Sequence, residues 1–325
     1  MSDEMIVLSR EAIQARIPHR YENVLIDRVT FAEEGSGVGS FEVRIMPGDD
    51  LGRQIFALSK TSTQKVLTET LFMEILALSS ICTEGIMPEH TLALFASISN
   101  FKKFGDSHLG EPLFGRVRRL RSKAGFYKYE GSFFNQKEEI LATGDVSAIF
   151  LDTSQGLPSN ADSKTAPVPA QTCYEAVDKS GFNKDASLVP VDAIVHYQRD
   201  PMELTTSYTY PSNHPLIHGH FPGKPVMMGI MQWMGVSDSC LALALKLKAD
   251  EGRTGSYEIF GDAELVKSDG LVVGEIRRFK VRVFVDCPGI LDQAEILETH
   301  KVIFRSVVHP GDIFFTKLNI LEINF

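Results

Sequence analysis

The sequence of 325 residues predicts an α+β fold in which two similar copies follow one another along the chain. Three observations carry this prediction: each half contains one long apolar helix, strand-like runs flank that helix, and a polar, Pro-rich segment separates the halves. A chain of this length has room for about two domains of common size, each with its own core. We therefore expect a first domain at residues 1–152, a linker at 153–172 and a second domain at 173–325.

The first half is organised around an apolar helix predicted at 65–81, which carries one charge, Glu74, near its middle. A glutamate is rarely buried without a partner, so Glu74 needs either a partner or a function. Before this helix, Ser9 is a suitable N-cap for a short helix that ends at Pro18. Strands are predicted at 24–31, 39–45, 92–101, 113–121, 126–134 and 140–151.

The second half repeats this pattern. It predicts a short helix around 174–179, a strand at 202–210 and a long apolar helix at 226–248. The segment 274–279 also resembles 115–120, and the two segments are separated by nearly the same number of positions as the two apolar helices. Because a helix and a strand-like segment recur after nearly the same number of residues, the pattern indicates an internal duplication.

The loop that precedes the second apolar helix has the layout of an active site. Pro222 and Pro225 fix φ and remove two backbone donors, so this loop is not helical. Gly229 then lies in the first helical turn, where the missing Cβ allows another atom to approach the backbone. Backbone N–H groups at a helix start have no intrahelical partner and favour negative charge. His220 is therefore an imidazole beside a helix N-terminus that can bind an oxyanion.

Two segments resemble one protein family. Residues 219–229 resemble the signature G-H-F-P-x-x-P-V-M-P-G of the hot-dog-fold 3-hydroxyacyl-acyl carrier protein dehydratases, with Met228 in place of a motif proline. Residues 18–29 are similar to the opening P-H-R-Y-P-x-L-L-V-D-R-V of the same family. The resemblance implies two tandem hot-dog domains, each an antiparallel sheet wrapped around a long central helix, that together form a pseudo-dimer.

The family's catalytic carboxylate lies fourteen residues after the motif histidine, and this chain has Met234 there. In the first half, the position fourteen residues before Glu74 is occupied by Lys60, where the family would have a histidine. In this family each active site combines a histidine from one hot dog with an acid from the other. The resemblance therefore implies one complete site made by His220 and Glu74, and one degenerate site with Lys60 and Met234.

The chemistry that the resemblance implies is the reversible dehydration of a (3R)-3-hydroxyacyl thioester to the trans-2-enoyl thioester, without a metal or an organic cofactor. His220 would remove the α-proton, Glu74 would protonate the departing hydroxyl, and the Gly229 N–H would bind the thioester carbonyl. The substrate would be carried by acyl carrier protein or by coenzyme A, in fatty acid or polyketide-type synthesis. Apolar neighbours of Glu74 favour its acid form independently of the resemblance.

Three features leave alternatives open at the site. Asp238 on the second apolar helix is an alternative acid. The family has a glutamine one turn past its acid, where this chain has Leu78. His214, His218 and His220 suggest a metal site, but no carboxylate or cysteine stands at ligand spacing beside them.

Two rival functions follow from these departures. A hot-dog thioesterase would use a helix carboxylate to activate water, but it would not need His220 in a loop bracketed by prolines. A non-catalytic acyl-thioester-binding or partner module would have kept the fold and lost turnover. Met234, Lys60 and Leu78 are the residues that favour this second rival.

The composition narrows the class of protein. A formal net charge of −9 disfavours nucleic-acid binding, and 43% hydrophobic content is that of an ordinary globular protein. The 4 cysteines show no CxxC spacing, which is typical of reduced thiols. Neither a secretory signal nor a membrane span is expected. We expect a cytoplasmic protein whose pseudo-dimer acts alone or forms a further homo-oligomer.

Overall fold

The computed structural model describes residues 5–88, 91–152 and 164–325. The elements of the first half are β1 (Ile6–Leu8), α1 (Arg10–Gln14), β2 (Arg28–Phe31), β3 (Val38–Val43), β4 (Ala57–Ser59), β5 (Lys65–Leu67), α2 (Leu71–Thr83), β6 (Thr91–Lys103), β7 (Leu113–Lys123), β8 (Phe126–Phe134) and β9 (Ile140–Asp152). Those of the second half are β10 (Glu175–Ala176), β11 (Ala193–Arg199), β12 (Met202–Thr209), α3 (Gly229–Glu251), β13 (Gly255–Lys267), β14 (Val272–Val285), β15 (Gln293–Phe304) and β16 (Ile313–Asn324).

One antiparallel sheet joins the two halves. Within the described residues it contains 14 strands in the order β1-β2-β3-β7-β8-β9-β6-β15-β14-β13-β16-β12-β11-β10, and β4 pairs separately with β5. The halves meet edge to edge where β6 pairs with β15, with Lys102 opposite Glu298 and Ser97 opposite Ile303. This large antiparallel sheet with few helices is a hot-dog-like fold, and the predicted α+β class is confirmed.

The strands that precede each long helix repeat the same local contacts. In the first half, the Arg44 N–H donates to Asp27 Oδ2 at 2.7 Å. In the second half, the Thr209 N–H donates to Asp192 Oδ2 at 2.8 Å. Asp27 and Asp192 therefore fix the two strand pairs in the same way, as an internal duplication would require.

The strands that follow each helix are connected differently in the two halves. In the first half β7 lies beside β3, whereas in the second half β16, the last strand, lies beside β12. The similar segments 115–120 and 274–279 lie in β7 and β14, which do not occupy equivalent positions in the sheet. Each is nevertheless the second strand after its long helix, so the internal duplication stays a prediction while the two sheets differ in strand order. Alternating polar and apolar residues define the two faces of a strand but not its neighbours.

The two long helices are buried, and both differ from their predicted bounds. Every residue of α2 is buried, and the helix begins at Leu71 because residues 65–67 pair with β4 instead. The start of α3 at Gly229 follows an extended segment in which the Met227 N–H donates to the Val308 carbonyl at 2.8 Å. This helix ends at Glu251, and Gly252 after it caps the helix in a left-handed conformation with φ of 68°.

Two shorter predictions have opposite outcomes. The helix after Ser9 is confirmed as α1, and the Ser9 hydroxyl accepts a hydrogen bond from the Ala12 N–H. The helix predicted around 174–179 is wrong. Its first residues form β10, which pairs with β11, and Lys179–Gly181 is a 3₁₀ turn capped by Asp178. Pairing with a free sheet edge satisfies the backbone in place of a helix.

The predicted linker is described only in part, because residues 153–163 lie outside the described residues. After them, the Ala166 N–H donates to the Gly270 carbonyl at 2.9 Å, and Lys164 pairs with Glu275 at 2.9 Å. Residues 164–166 are thus attached to the second half. Across residues 5–88, 91–152 and 164–325, the structure has no helix with the length and hydrophobicity needed to cross a bilayer.

Candidate active site

Glu74 is a buried acid in the first half. It lies near the start of α2 with only 4% of its surface exposed, and its Oε2 atom has no hydrogen-bond partner among the described residues. Burial raises the pKa of Glu74 to about 7. The side chain is therefore a carboxylic acid for much of its time at neutral pH, with a proton available for transfer.

His220 is a buried base in the second half. Its Nδ1 atom lies 3.0 Å from the Val226 carbonyl oxygen. Because a carbonyl oxygen can only accept, Nδ1 carries the proton and Nε2 keeps its lone pair. Burial lowers the pKa of His220 to about 4, so the ring is neutral near pH 7. The loop thus presents a neutral imidazole whose free nitrogen can take a proton.

His19 is a third buried residue of the site, and no sequence pattern singles it out as a catalytic group. Its Nε2 atom lies 3.7 Å from Glu74 Oε1, and its ring centroid lies 5.0 Å from that of His220. Burial, followed by the nearby His220 and Arg20, holds the pKa of His19 well below its usual value. Because the His19 imidazole is therefore neutral, its approach to Glu74 is not an ion pair.

Folding brings these three side chains into one cluster. One ring nitrogen of His19, one ring nitrogen of His220 and one carboxyl oxygen of Glu74 all lie within 4.8 Å of one another. Glu74 and His19 come from the first half and His220 from the second, so the cluster lies between the halves. His19 stands in the segment 18–29 that matches the dehydratase opening. The similarity of this segment to the family's opening was the sequence signal from which His19 could have been predicted as a site residue.

Contacts between the two halves hold the His220 loop in place. The Arg20 N–H donates to the Gly219 carbonyl at 3.1 Å, and Asn23 Nδ2 donates to the Leu216 carbonyl at 3.2 Å. A Cβ atom at Gly219 would lie 2.2 Å from the Arg20 carbonyl oxygen and 2.3 Å from Asn23 Nδ2. Only glycine fits at this position without moving the backbone next to His220.

Replacing Gly219 with alanine is expected to displace the His220 loop and lower the proposed dehydratase activity by about 100-fold, since misplacement by about 1 Å can have that effect. The measurement is kcat for hydration of crotonyl-coenzyme A. Gly181→Ala is the matched control, because a Cβ at Gly181 meets no atom of the described part of the chain within 4 Å. Equal losses in the two variants would contradict the positioning role of Gly219.

Gly229 is the first residue of α3. Its backbone N–H belongs to the first turn, whose N–H groups have no acceptor inside the helix. A Cβ at this position would lie 3.0 Å from the ring of Phe304, so a side chain here would displace that ring. The atom that approaches Gly229 closely is therefore part of the Phe304 ring, and the role of the Gly229 N–H as an oxyanion donor stays a prediction.

The alternative site residues are engaged elsewhere. Asp238 accepts a hydrogen bond from Lys184 Nζ at 2.7 Å, and burial raises its pKa to about 6 despite this lysine. His214 uses both ring nitrogens, with Nε2 2.8 Å from the Ser187 carbonyl and Nδ1 accepting from the Leu216 N–H. Because a carbonyl and an N–H already occupy its nitrogens, His214 is unsuited to bind a metal.

Lys60 and Met234, the two residues predicted for a degenerate site, lie in other surroundings. Lys60 forms an ion pair with Asp106, and Asp106 also pairs with Lys103 at 2.7 Å. Lys103 lies at the end of β6 and forms a second ion pair with Glu295 of β15. Met234 is buried in the core. Lys60 thus belongs to a charged cluster that links the two halves, here called the seam cluster (Lys60, Lys103, Asp106 and Glu295).

An open cleft of about 1120 Å³ lies beside the buried cluster. Both halves line it, through sequence neighbours of His19 such as Pro18 and Arg20 and through sequence neighbours of His220 such as Phe221 and Pro222. Phe221 also contacts the rings of both His19 and His220. The cleft is therefore a surface from which a small molecule can approach the cluster.

Replacing Glu74 with glutamine is expected to stabilise the protein at about pH 8 but not at about pH 5. Because burial raises the pKa of Glu74 from 4.5 to about 7, the folded protein keeps a proton that the unfolded chain releases. The wild-type free energy of unfolding therefore falls by about 3 kcal/mol as the pH rises through this interval. Glutamine has no proton to lose, so the free energy of unfolding of the variant should not show this fall. Urea unfolding of both proteins should therefore give free energies that differ more as the pH rises. A difference that does not change with pH would contradict the shifted pKa.

Several solved structures are similar to this chain. The dehydratase domain of RzxB from Pseudomonas fluorescens is 13% identical, over 81% of this chain and 94% of that one, with a TM-score of 0.40. The dehydratase heterocomplex ApeI:P from Xenorhabdus doucetiae is 14% identical, over 44% and 92%, with a TM-score of 0.36. Slr0204, a 1,4-dihydroxy-2-naphthoyl-CoA thioesterase from Synechocystis, is 11% identical, over 38% and 88%, with a TM-score of 0.28.

No protein-family model matches the sequence, and no curated protein does so either. Because the TM-scores of the similar structures are low, the fold assignment depends on the strand order and the buried helices of this chain.

Proposed function

We propose that this protein is a dehydratase that converts (3R)-3-hydroxyacyl thioesters to trans-2-enoyl thioesters at one composite site. The proposal treats residues 1–152 and 173–325 as two hot-dog domains, with α2 and α3 as their central helices. The observation that carries it is the close approach of a neutral imidazole and a protonated carboxyl, His220 and Glu74, from opposite halves of the chain. An elimination of water needs such a base and such an acid on either side of the substrate.

In this mechanism His220 Nε2 removes the proton from C2 of the acyl chain. The electron pair of that C–H bond forms the C2–C3 double bond, and the C3–O bond breaks as Glu74 delivers its proton to the departing hydroxyl. Water leaves, His220 is then protonated and Glu74 ionised, and their proximity lets the pair exchange the proton and reset. The Gly229 N–H stabilises the negative charge that develops on the thioester oxygen, and one such donor contributes on the order of 3 kcal/mol.

The direct test is incubation of the protein with crotonyl thioesters of coenzyme A and of acyl carrier protein. Hydration by a dehydratase bleaches the ultraviolet absorbance of the enoyl thioester without releasing a thiol. A thioesterase releases a free thiol, which a thiol reagent detects. A binding module does neither. Thiol release or an unchanged spectrum with both substrates would overturn the proposal, and the faster substrate identifies the carrier.

The pH dependence of the reaction is a further expected result. Dehydration needs neutral His220, whose pKa is about 4, and protonated Glu74, whose pKa is about 7. We expect kcat/KM for dehydration of a 3-hydroxybutyryl thioester to be level between these values and to fall about tenfold per pH unit above about 7. These are apparent pKa values of a pair of interacting groups. A rate that rises through pH 7 would instead indicate Glu74 acting as a carboxylate base, as in hydrolysis.

A further inference from the structure

We propose that His19, Glu74 and His220 also form a binding site for a single zinc ion. The site would use one ring nitrogen from each histidine and one oxygen from the carboxyl group. This inference goes beyond the proposed dehydration, which uses no metal.

The supporting geometry is the convergence of the three donor atoms, which all lie within 4.8 Å of one another. Zinc binds each donor at about 2.0–2.2 Å, so donors on one ion lie about 3–4 Å apart. Only a small contraction of the cluster is required.

The donor atoms are free to bind an ion. Neither ring nitrogen of His19 has a hydrogen-bond partner among the described residues, and the same is true of Glu74 Oε2. Polar atoms that are buried without partners are uncommon in folded proteins. An ion held by them would satisfy these atoms at the same time.

His220 already has the arrangement typical of a metal-bound histidine. Its Nδ1–H donates to the Val226 carbonyl at 3.0 Å, which fixes the ring and directs Nε2 away from that bond. Histidines that bind metals almost always donate their other N–H to a carbonyl, a carboxylate or water in this way.

The donor types select the ion. Two imidazoles and one carboxylate are the set used by open zinc sites, in which three protein ligands leave a fourth position for water or substrate. Calcium and magnesium prefer sites made entirely of oxygen atoms. Because Glu74 and His19 belong to the first half and His220 to the second, a bound ion would also link the halves. Zinc should therefore raise the melting temperature of the protein.

The ion would also control the proposed reaction. It would occupy the lone pair of His220 and the carboxyl group of Glu74, the same groups that move protons in dehydration. Zinc should therefore inhibit competitively with the thioester substrate. This consequence rests on the proposed function, whereas the binding site itself does not.

The experiment uses the full chain after removal of metals with a chelator. Equilibrium dialysis with zinc should give one ion per chain, and cobalt(II) should give the visible absorption bands of a four- or five-coordinate site. His19→Ala and Glu74→Gln should each weaken zinc binding by at least about 10–100-fold. His300→Ala is the matched control, because His300 is exposed on β15 and should bind zinc as the wild type does.

The zinc-binding measurements on these variants either support the proposed zinc site or overturn it. Zinc binding that survives both His19→Ala and Glu74→Gln places the ion elsewhere and overturns the proposal, as does the lack of any binding. Glu74→Gln keeps the shape of the side chain, so it remains informative if His19→Ala fails to fold, which thermal unfolding without zinc detects. Dehydratase assays on the same metal-free protein separate a failure of the zinc site from a failure of the proposed function.

Discussion

His220→Ala and Glu74→Gln are each expected to lower kcat/KM for hydration of a crotonyl thioester by roughly 10²–10⁴-fold, the usual contribution of a positioned acid or base. The proposed dehydration assigns the base to His220, whose Nδ1–H is bound to the Val226 carbonyl and whose other nitrogen has no hydrogen bond to the described residues. It assigns the acid to Glu74, whose pKa is raised by burial to about 7. Glutamine keeps the size of the side chain but has no proton to transfer.

The double variant distinguishes a joint mechanism from two separate effects. Residues that act as one unit are strongly non-additive, so His220→Ala with Glu74→Gln should be no worse than the slower single variant. His300→Ala, on the exposed side of β15, should retain wild-type activity. Full activity of Glu74→Gln would transfer the acid role to Asp238 or to water. Asp238→Asn would then separate these two, although the pairing of Asp238 with Lys184 argues for a structural role.

Lys103→Ala is expected to lower the free energy of unfolding by about 3–5 kcal/mol, the usual effect of removing one partner from buried ion pairs. The Lys103 side chain is 9% exposed and pairs with both Asp106 and Glu295. Burial by itself would lower the pKa of Lys103, but the carboxylates of Glu295, Glu69 and Asp106 raise it well above its usual value. Without this lysine, Glu295 and Asp106 lose a partner where β6 meets β15.

Urea unfolding of the variant and of Lys102→Ala provides the comparison. Lys102 is the neighbouring lysine on β6, its side chain is 54% exposed, and its nearest carboxylate oxygen, on Glu298, is 4.0 Å away. An exposed pair of this kind contributes about 0–1 kcal/mol. If the two variants lose the same stability, the seam cluster does not hold the halves together.

The proposed site at His220 and Glu74 differs from the surroundings of Lys60 in the charges that it holds. His220 and Glu74 are neutral groups in a buried cluster, which suits proton transfer. Lys60, which stands where the spacing would require a histidine, is committed to an ion pair with Asp106. The proposal therefore assigns catalysis to one site and interdomain stabilisation to the other.

Part of the fold follows from local sequence and part does not. The Ser9 cap of α1 and the burial of α2 and α3 depend on residues close together in the chain, and the sequence predicts them. The start of α2 was placed too early because residues 65–67 pair with β4, a contact made only after folding. The neighbours of β14 and β16 were not predictable either, since the alternation of side chains fixes a strand's faces and not its place in a sheet.

For the site, the chain alone predicts the chemical groups: a histidine between prolines and a glutamate in an apolar helix, with the family resemblance adding the spacing that pairs them. The contact of His19 with His220 and Glu74, and the ion pair of Lys60 with Asp106, are visible only in the folded protein. Residue type fixes which proton a group can carry, but burial sets its pKa, and burial depends on contacts between segments that are distant in the chain.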